Sequence, residues 1–221
     1  MPTPFGVIST ISLIQRARLM NNLDRIFHAN PAVFAAAYLE YLNKVLKAIN
    51  VEEISRFVSI LLDARERKAT IYFVGNGGSA ATASHFANDL AIGTSAYNKP
   101  FRAISLTDNQ AIITALGNDL GYEEIFVRQL MVMGHAGDVL VGISASGNSA
   151  NLVRAFEYAH QVGIRTVAIT AFDGGKMRVM ADAGIHVPTE LREYGPAEDA
   201  HMILDHLVAA YLMRAVQAES I

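Results

Sequence analysis

A chain of 221 residues suffices for one α/β domain with a sizeable core. Its formal charge of −3, without a cluster of Lys or Arg, speaks against nucleic-acid binding, and the absence of Cys excludes disulfides, thiolate metal sites and a Cys nucleophile. Hydrophobic residues reach 52% against 18% charged, so part of the surface is expected to be buried against other subunits, and no apolar run is long enough to span a membrane.

Residues 1–28 carry two early prolines and a weak helical pattern over 11–27, expected as an N-terminal arm or a loose end. The apolar stretch 5–14 precedes its basic residues Arg16 and Arg18, the reverse of a secretory signal, so a cytoplasmic location is expected. From residue 29 to 221 no linker, repeat or boundary interrupts the pattern, which reads as a single domain.

Asn30-Pro31 is a strong helix start, with Asn as N-cap and Pro at the first helical position. Phe34, Tyr38, Tyr41, Leu42, Val45 and Ile49 repeat at helical spacing, and a second amphipathic helix is predicted over 51–65. The stretch 71–90 is the element around which the remaining chain is organised. Ile71, Tyr72, Phe73 and Val74 suit a buried strand, Gly75-Asn76-Gly77-Gly78 breaks it, and Ser79 is the expected N-cap of the next helix. Backbone amides at such a turn favour an anion, although glycine-rich turns also occur without one. On that helix His85 and Asp89 stand four residues apart, hence on one face, where a plain surface contact is the alternative.

The spacing next predicts a strand over 101–106, helices over 108–116 and 122–133, and a strand over 138–144. A helix over 149–162, a strand over 165–170 and a short helix over 175–181 come next. A short strand over 184–188 and a long helix over 197–218 close the chain. Five strands, four of them leading directly into helices, imply a parallel sheet covered on both faces, with a ligand beyond its carboxyl ends.

Three further clusters carry polar chemistry. Ser144, Ser146, Asn148 and Ser149 surround Gly147 between a strand and a helix, where hydroxyls and an amide can cradle a phosphate or simply cap the turn. Gly117-Asn118-Asp119 and Gly121-Tyr122-Glu123-Glu124 form a patch to which spacing alone assigns no role. Glu198, His201 and Asp205 share one face of the last helix, and Asp199 and His206 an adjacent one. Such groups are costly if buried without partners, yet a solvated stripe has the same period.

Together these stretches resemble the sugar isomerase (SIS) domain family and, within it, the phosphoheptose isomerases. The resemblance covers roughly residues 30–215 and rests on GNGGSA at 75–80, SHFANDL at 84–90, TALGNDLGYEEIF at 114–126, GISASGNS at 142–149 and EDAHMILDH at 198–206. It implies a five-stranded parallel, flavodoxin-like sheet and a homotetramer with its sites between subunits. The implied reaction interconverts sedoheptulose 7-phosphate and a manno-heptose 7-phosphate. Ser144, Ser146, Asn148 and Ser149 match the family's phosphate turn, with Asn76, Gly77 and Ser79 assisting from the first turn. His85 and His206 match two histidine ligands of a zinc ion, and Asp89 and Glu198 stand where the family has a ligating glutamate and a ligating glutamine. Asp89 and His206 thereby take the acid/base roles. This chain departs from the family at Asp89 and Glu198, at Ala145 in place of a Thr, and at Gly93-Thr94 where an Arg is usual. The resemblance also allows a non-catalytic phosphosugar-binding regulatory or scaffold tetramer, or an epimerase or lyase on the same domain.

Overall fold

The computed structural model describes residues 20–218; the earlier part of the N-terminal arm lies outside them. Among the described residues three helices precede the sheet: α1 (Asn22–Ile26), α2 (Pro31–Lys47) and α3 (Val51–Glu66). Then come β1 (Thr70–Gly75), α4 (Gly78–Asn88), β2 (Arg102–Ser105), α5 (Gln110–Asp119), α6 (Val127–Met133), β3 (Val139–Ser144), α7 (Ala150–Gln161), β4 (Arg165–Thr170), α8 (Gly175–Met180), β5 (Ala183–His186) and α9 (Tyr194–Ala218). A π-helical turn, Asp89–Gly93, continues α4, and a 3-10 turn, Tyr122–Glu124, precedes α6. The helix expected over 122–133 is therefore split, because Ile125 and Phe126 turn inward to the core between the two pieces.

The five strands pair in parallel in the order β2-β1-β3-β4-β5. Successive side chains of a strand point to opposite faces, so the central strands feed two cores. Ile71, Phe73, Val141 and Ile169 meet α3, α4 and α9 on one face; Tyr72, Val74, Leu140 and Ala168 meet α6, α7 and α8 on the other. Phe86 of α4 stacks on Phe73 with centroids 5.0 Å apart and meets Phe57 of α3 edge-on at 5.8 Å. Truncating such a buried ring costs about 3–5 kcal/mol. This anchor sits beside His85 and holds α4, with its polar face, against the sheet.

Asn30 and Asn50 cap α2 and α3 as side-chain acceptors, the first of them as the Asn-Pro pair predicts. Residues 21–25 fold onto the segment before α9. Asn22 N donates to Glu193 Oε1 (2.6 Å) and Arg25 pairs with Glu190 (2.9 Å). Glu193 is fully buried, which is tolerable because the Tyr41 hydroxyl and the Glu190 amide also donate to it.

Candidate active site

In this strand order the chain leaves β1 toward the β2 edge and leaves β3 toward the β4 edge, so the crevice at their carboxyl ends is the topological switch point. The turn after β1 opens α4 and the turn after β3 opens α7. Neither helix has a side-chain cap, in contrast to the asparagine-capped α2, α3 and α5. Ala80 N and Leu152 N are bonded within their own turns, so the amides left for another acceptor are the first two of each helix, Gly78 and Ser79 in α4 and Ala150 and Asn151 in α7.

Ser79 is not the N-cap of α4; Gly77 is, with φ +54° and ψ −124°, while Ser79 lies buried in the first turn. The reason is steric. A Cβ on Gly75 would stand 2.3 Å from Ser79 O, so the helix can start this close to the strand only over glycine. Open space surrounds the Cα of Gly77. The Asn76 side chain faces sideways, exchanging two bonds with Asn151 of α7 (3.0 and 2.9 Å).

The second turn is built by its own polar groups. Ser144 Oγ accepts from Gly147 N (3.1 Å), Ser146 Oγ from Asn148 N (3.4 Å), and Asn148 Oδ1 from Lys176 N (3.1 Å). Gly147 has φ +61°, and a Cβ there would lie 1.9 Å from Gly174 O, so glycine is obligatory. Ser149 occupies the N-cap position with extended backbone, but its hydroxyl makes no cap bond. Its side chain is the one the turn does not consume.

Seven residues along α4, about 10 Å by helical rise, a second polar group forms against α9. His85 Nε2 lies 3.2 Å from His206 Nε2, 3.6 Å from Asp89 Oδ2 and 4.0 Å from Asp205 Oδ2. Ligand atoms of these four residues all fall within 4.8 Å of one another. Asp205 is fully buried, and neither carboxylate oxygen has a hydrogen-bond partner. Burial, then the nearby Asp89 carboxylate, push its carboxyl up to about 7. A buried orphan carboxylate beside two imidazole nitrogens facing each other is a donor set that a divalent cation fits. Two nitrogens at about 2.0–2.1 Å from one tetrahedral ion lie roughly 3.3 Å apart, near the spacing of these rings.

Of the four residues implied as ligands, the structure brings together His85, Asp89 and His206 but not Glu198. Glu198 lies two helical turns before His206, over Gly78, where a Cβ would meet its carboxylate at 2.2 Å. There burial first, and Asp199 second, raise its carboxyl above the usual value. Asp205 takes its place in the group. Its shared helical face with Glu198 and His201 was visible in the sequence; its proximity to α4 was not. Sequence reasoning also left Tyr122 without a role, and the structure puts its hydroxyl 2.9 Å from Asn76 Oδ1.

Comparison with known proteins agrees with this architecture. Residues 34–171 match the SIS domain. The phosphoheptose isomerase of Akkermansia muciniphila is 41% identical over 168 residues, 76% of this chain and 86% of that protein. That of Helicobacter pylori strain P12 is 36% identical over 178 residues, 80% of this chain and 91% of that one. Among solved structures, the phosphoheptose isomerase of Neisseria gonorrhoeae superposes with a TM-score of 0.72 at 32% identity, covering 80% of this chain and 96% of that one. The one from Francisella tularensis gives 0.73 at 25% identity, covering 84% and 98%.

Proposed function

Because the chain belongs to the SIS domain family, we propose that it is a phosphosugar aldose–ketose isomerase converting sedoheptulose 7-phosphate to a manno-heptose 7-phosphate. The observation that carries this reading is the pairing of two uncapped helix N-termini at the switch point with an acid/base cluster two turns along α4. The first end suits a phosphate. The second suits a carbonyl at the far end of an extended sugar chain.

Phosphate binding falls to the 76–79 and 144–149 turns, with Ser149 supplying the hydroxyl that its own helix leaves unused. Holding the phosphate fixes the reacting carbons in register and adds binding energy remote from the chemistry. Asp89, only partly exposed, is held 3.6 Å from His85 Nε2. As base it takes a proton from C1 of the ketose, giving the enediolate, and returns it to C2. His206, exposed beside the same face, moves the proton between the two sugar oxygens. His85, Asp89, Asp205 and His206 are the residues that would hold a metal, and their nitrogen and carboxylate donors suit zinc, and also manganese, iron or nickel. When bound, such an ion supplies positive charge for the developing enediolate.

We also infer a homotetramer, supported by the large apolar side chains that α9 and the helices before the sheet leave exposed, Leu39, Val51, Leu207 and Tyr211 among them. A cytoplasmic location follows from the charged sugar phosphate such an enzyme consumes. Among the described residues no helix is long and apolar enough to cross a membrane.

The test is incubation of the purified protein with a panel of ketose phosphates in deuterated water. Deuterium at the carbon beside the carbonyl of the seven-carbon sugar supports the isomerase. Phosphosugar binding without exchange identifies the non-catalytic binding protein instead.

A further inference from the structure

The Tyr122–Glu124 turn, for which spacing alone offers no role, bonds both to the turn after β1 and to α7, the helix that follows the second phosphate-binding turn. Tyr122 OH donates to Asn76 Oδ1 (2.9 Å) in the turn after β1. Asn76 in turn exchanges both amide bonds with Asn151, which belongs to the first turn of α7 and is only 2% exposed. Two residues on from Tyr122, the buried carboxylate of Glu124 accepts from Arg154 of the same helix (2.5 Å) and from Arg128 of α6 (2.6 Å). Gln129 Nε2 secures α6 by donating to Leu106 O, just past the end of β2 (3.0 Å). A closed loop of bonds thus runs from the first turn through Tyr122 and Glu124 to α7 and back through Asn151.

We propose that this 3-10 turn is a strap that sets the separation of the two phosphate-binding turns, with Tyr122, Glu124 and Asn151 as positioning residues. The switch point needs one. β1 and β3 are neighbours in the sheet, but their turns diverge to opposite faces, and neither helix start is fixed by a cap of its own. A phosphate bridging the two sets of amides binds well only if their spacing is held beforehand. The Asn76 amide, committed to Asn151 and Tyr122, therefore works chiefly by holding its own backbone in place. Tyr122 separates this role from ordinary stability. The residue is 57% exposed, so what its side chain contributes is chiefly the hydroxyl bond rather than burial.

The proposal rests on the phosphosugar reading of the site, and the test keeps the two apart. Sedoheptulose 7-phosphate and inorganic phosphate are titrated calorimetrically into wild type, Tyr122→Phe, Asn151→Ala and the double variant, beside melting curves and steady-state rates. Tyr122→Phe is expected to weaken both ligands about fivefold, the worth of one net hydrogen bond. KM should rise while kcat at saturation and the melting temperature stay unchanged. Because Asn76 is the shared partner, the Asn151→Ala loss is expected to be less than additive with it. Wild-type binding that Tyr122→Phe leaves intact overturns the strap alone, as does a loss of affinity that only tracks a lowered melting temperature. No binding by wild type overturns the strap and the phosphosugar reading together.

Discussion

Asp205 Oδ2 stands 4.0 Å from His85 Nε2, on a different helix, with neither carboxylate oxygen hydrogen-bonded. α4 and α9 run side by side so that Gly78 meets Glu198 and, seven residues on in each, His85 meets Asp205. The phosphate end and the acid/base end of the crevice are thereby fixed by one helix pair.

The ligand assignment rests on that pairing. Asp205→Asn is expected to lower metal affinity by more than the roughly 10–100-fold that a lost outer-shell partner costs, while Glu198→Gln leaves the metal content near wild type. In chelated protein the effect of Asp205→Asn reverses. Removing an uncompensated buried carboxylate should stabilise the fold by about 1 kcal/mol, or ~3 °C for a chain of this size. Elemental analysis and paired melting curves with and without chelator check both signs. Equal metal content in wild type and Asp205→Asn removes Asp205 from the site.

Ser149→Ala tests the phosphate turn. A hydroxyl bonded to a charged phosphate contributes about 1.5–3 kcal/mol, so affinity for the phosphosugar should fall by ~10–100-fold. Since Ser149 makes no cap bond, the melting temperature should barely move. Calorimetry showing unaltered affinity returns the turn to a purely structural role.

His201 gives a pH dependence. Complete burial pushes its ring down to about 4, with His186 adding to the effect and the Thr170 backbone opposing it. The unfolded ring titrates near 6.5. The folded pKa is depressed, so the stability is fully present above about pH 6.5 and is lost as pH falls toward 4, when the unfolded chain binds a proton that the native ring refuses. The loss from this residue is of the order of 3 kcal/mol. Denaturant unfolding between pH 7.5 and 4.5 should show it, and His201→Leu should flatten that part of the curve. An unchanged slope assigns the acid sensitivity to other groups.

Oligomerisation is checked by sedimentation at micromolar concentration. A tetramer is expected, and Tyr211→Glu, on an exposed position of α9, should shift the protein toward smaller species without unfolding it. A monomeric wild type removes the inferred assembly.

Much of the fold is legible in the sequence because it depends on local pattern. The alternation of strand and helix, the Asn-Pro helix start and the two turns rich in small polar residues come from period and backbone preference, which neighbours in the chain decide. Even so, Ser79 does not cap its helix. Its propensity loses to the close packing of α4 on Gly75, and no local pattern reports such an approach.

The sequence by itself determined the parallel sheet, the placing of polar turns at its carboxyl ends and the pairing of His85 with Asp89, since four residues on a helix share a face whatever surrounds them. Only the tertiary structure decided which acid of α9 joins them. Glu198 and Asp205 are seven residues apart and share a face, so helical period cannot choose between them. The register in which α9 lies along α4 sends one to Gly78 and the other to His85, and that register is set by the side chains packed between the two helices and the sheet.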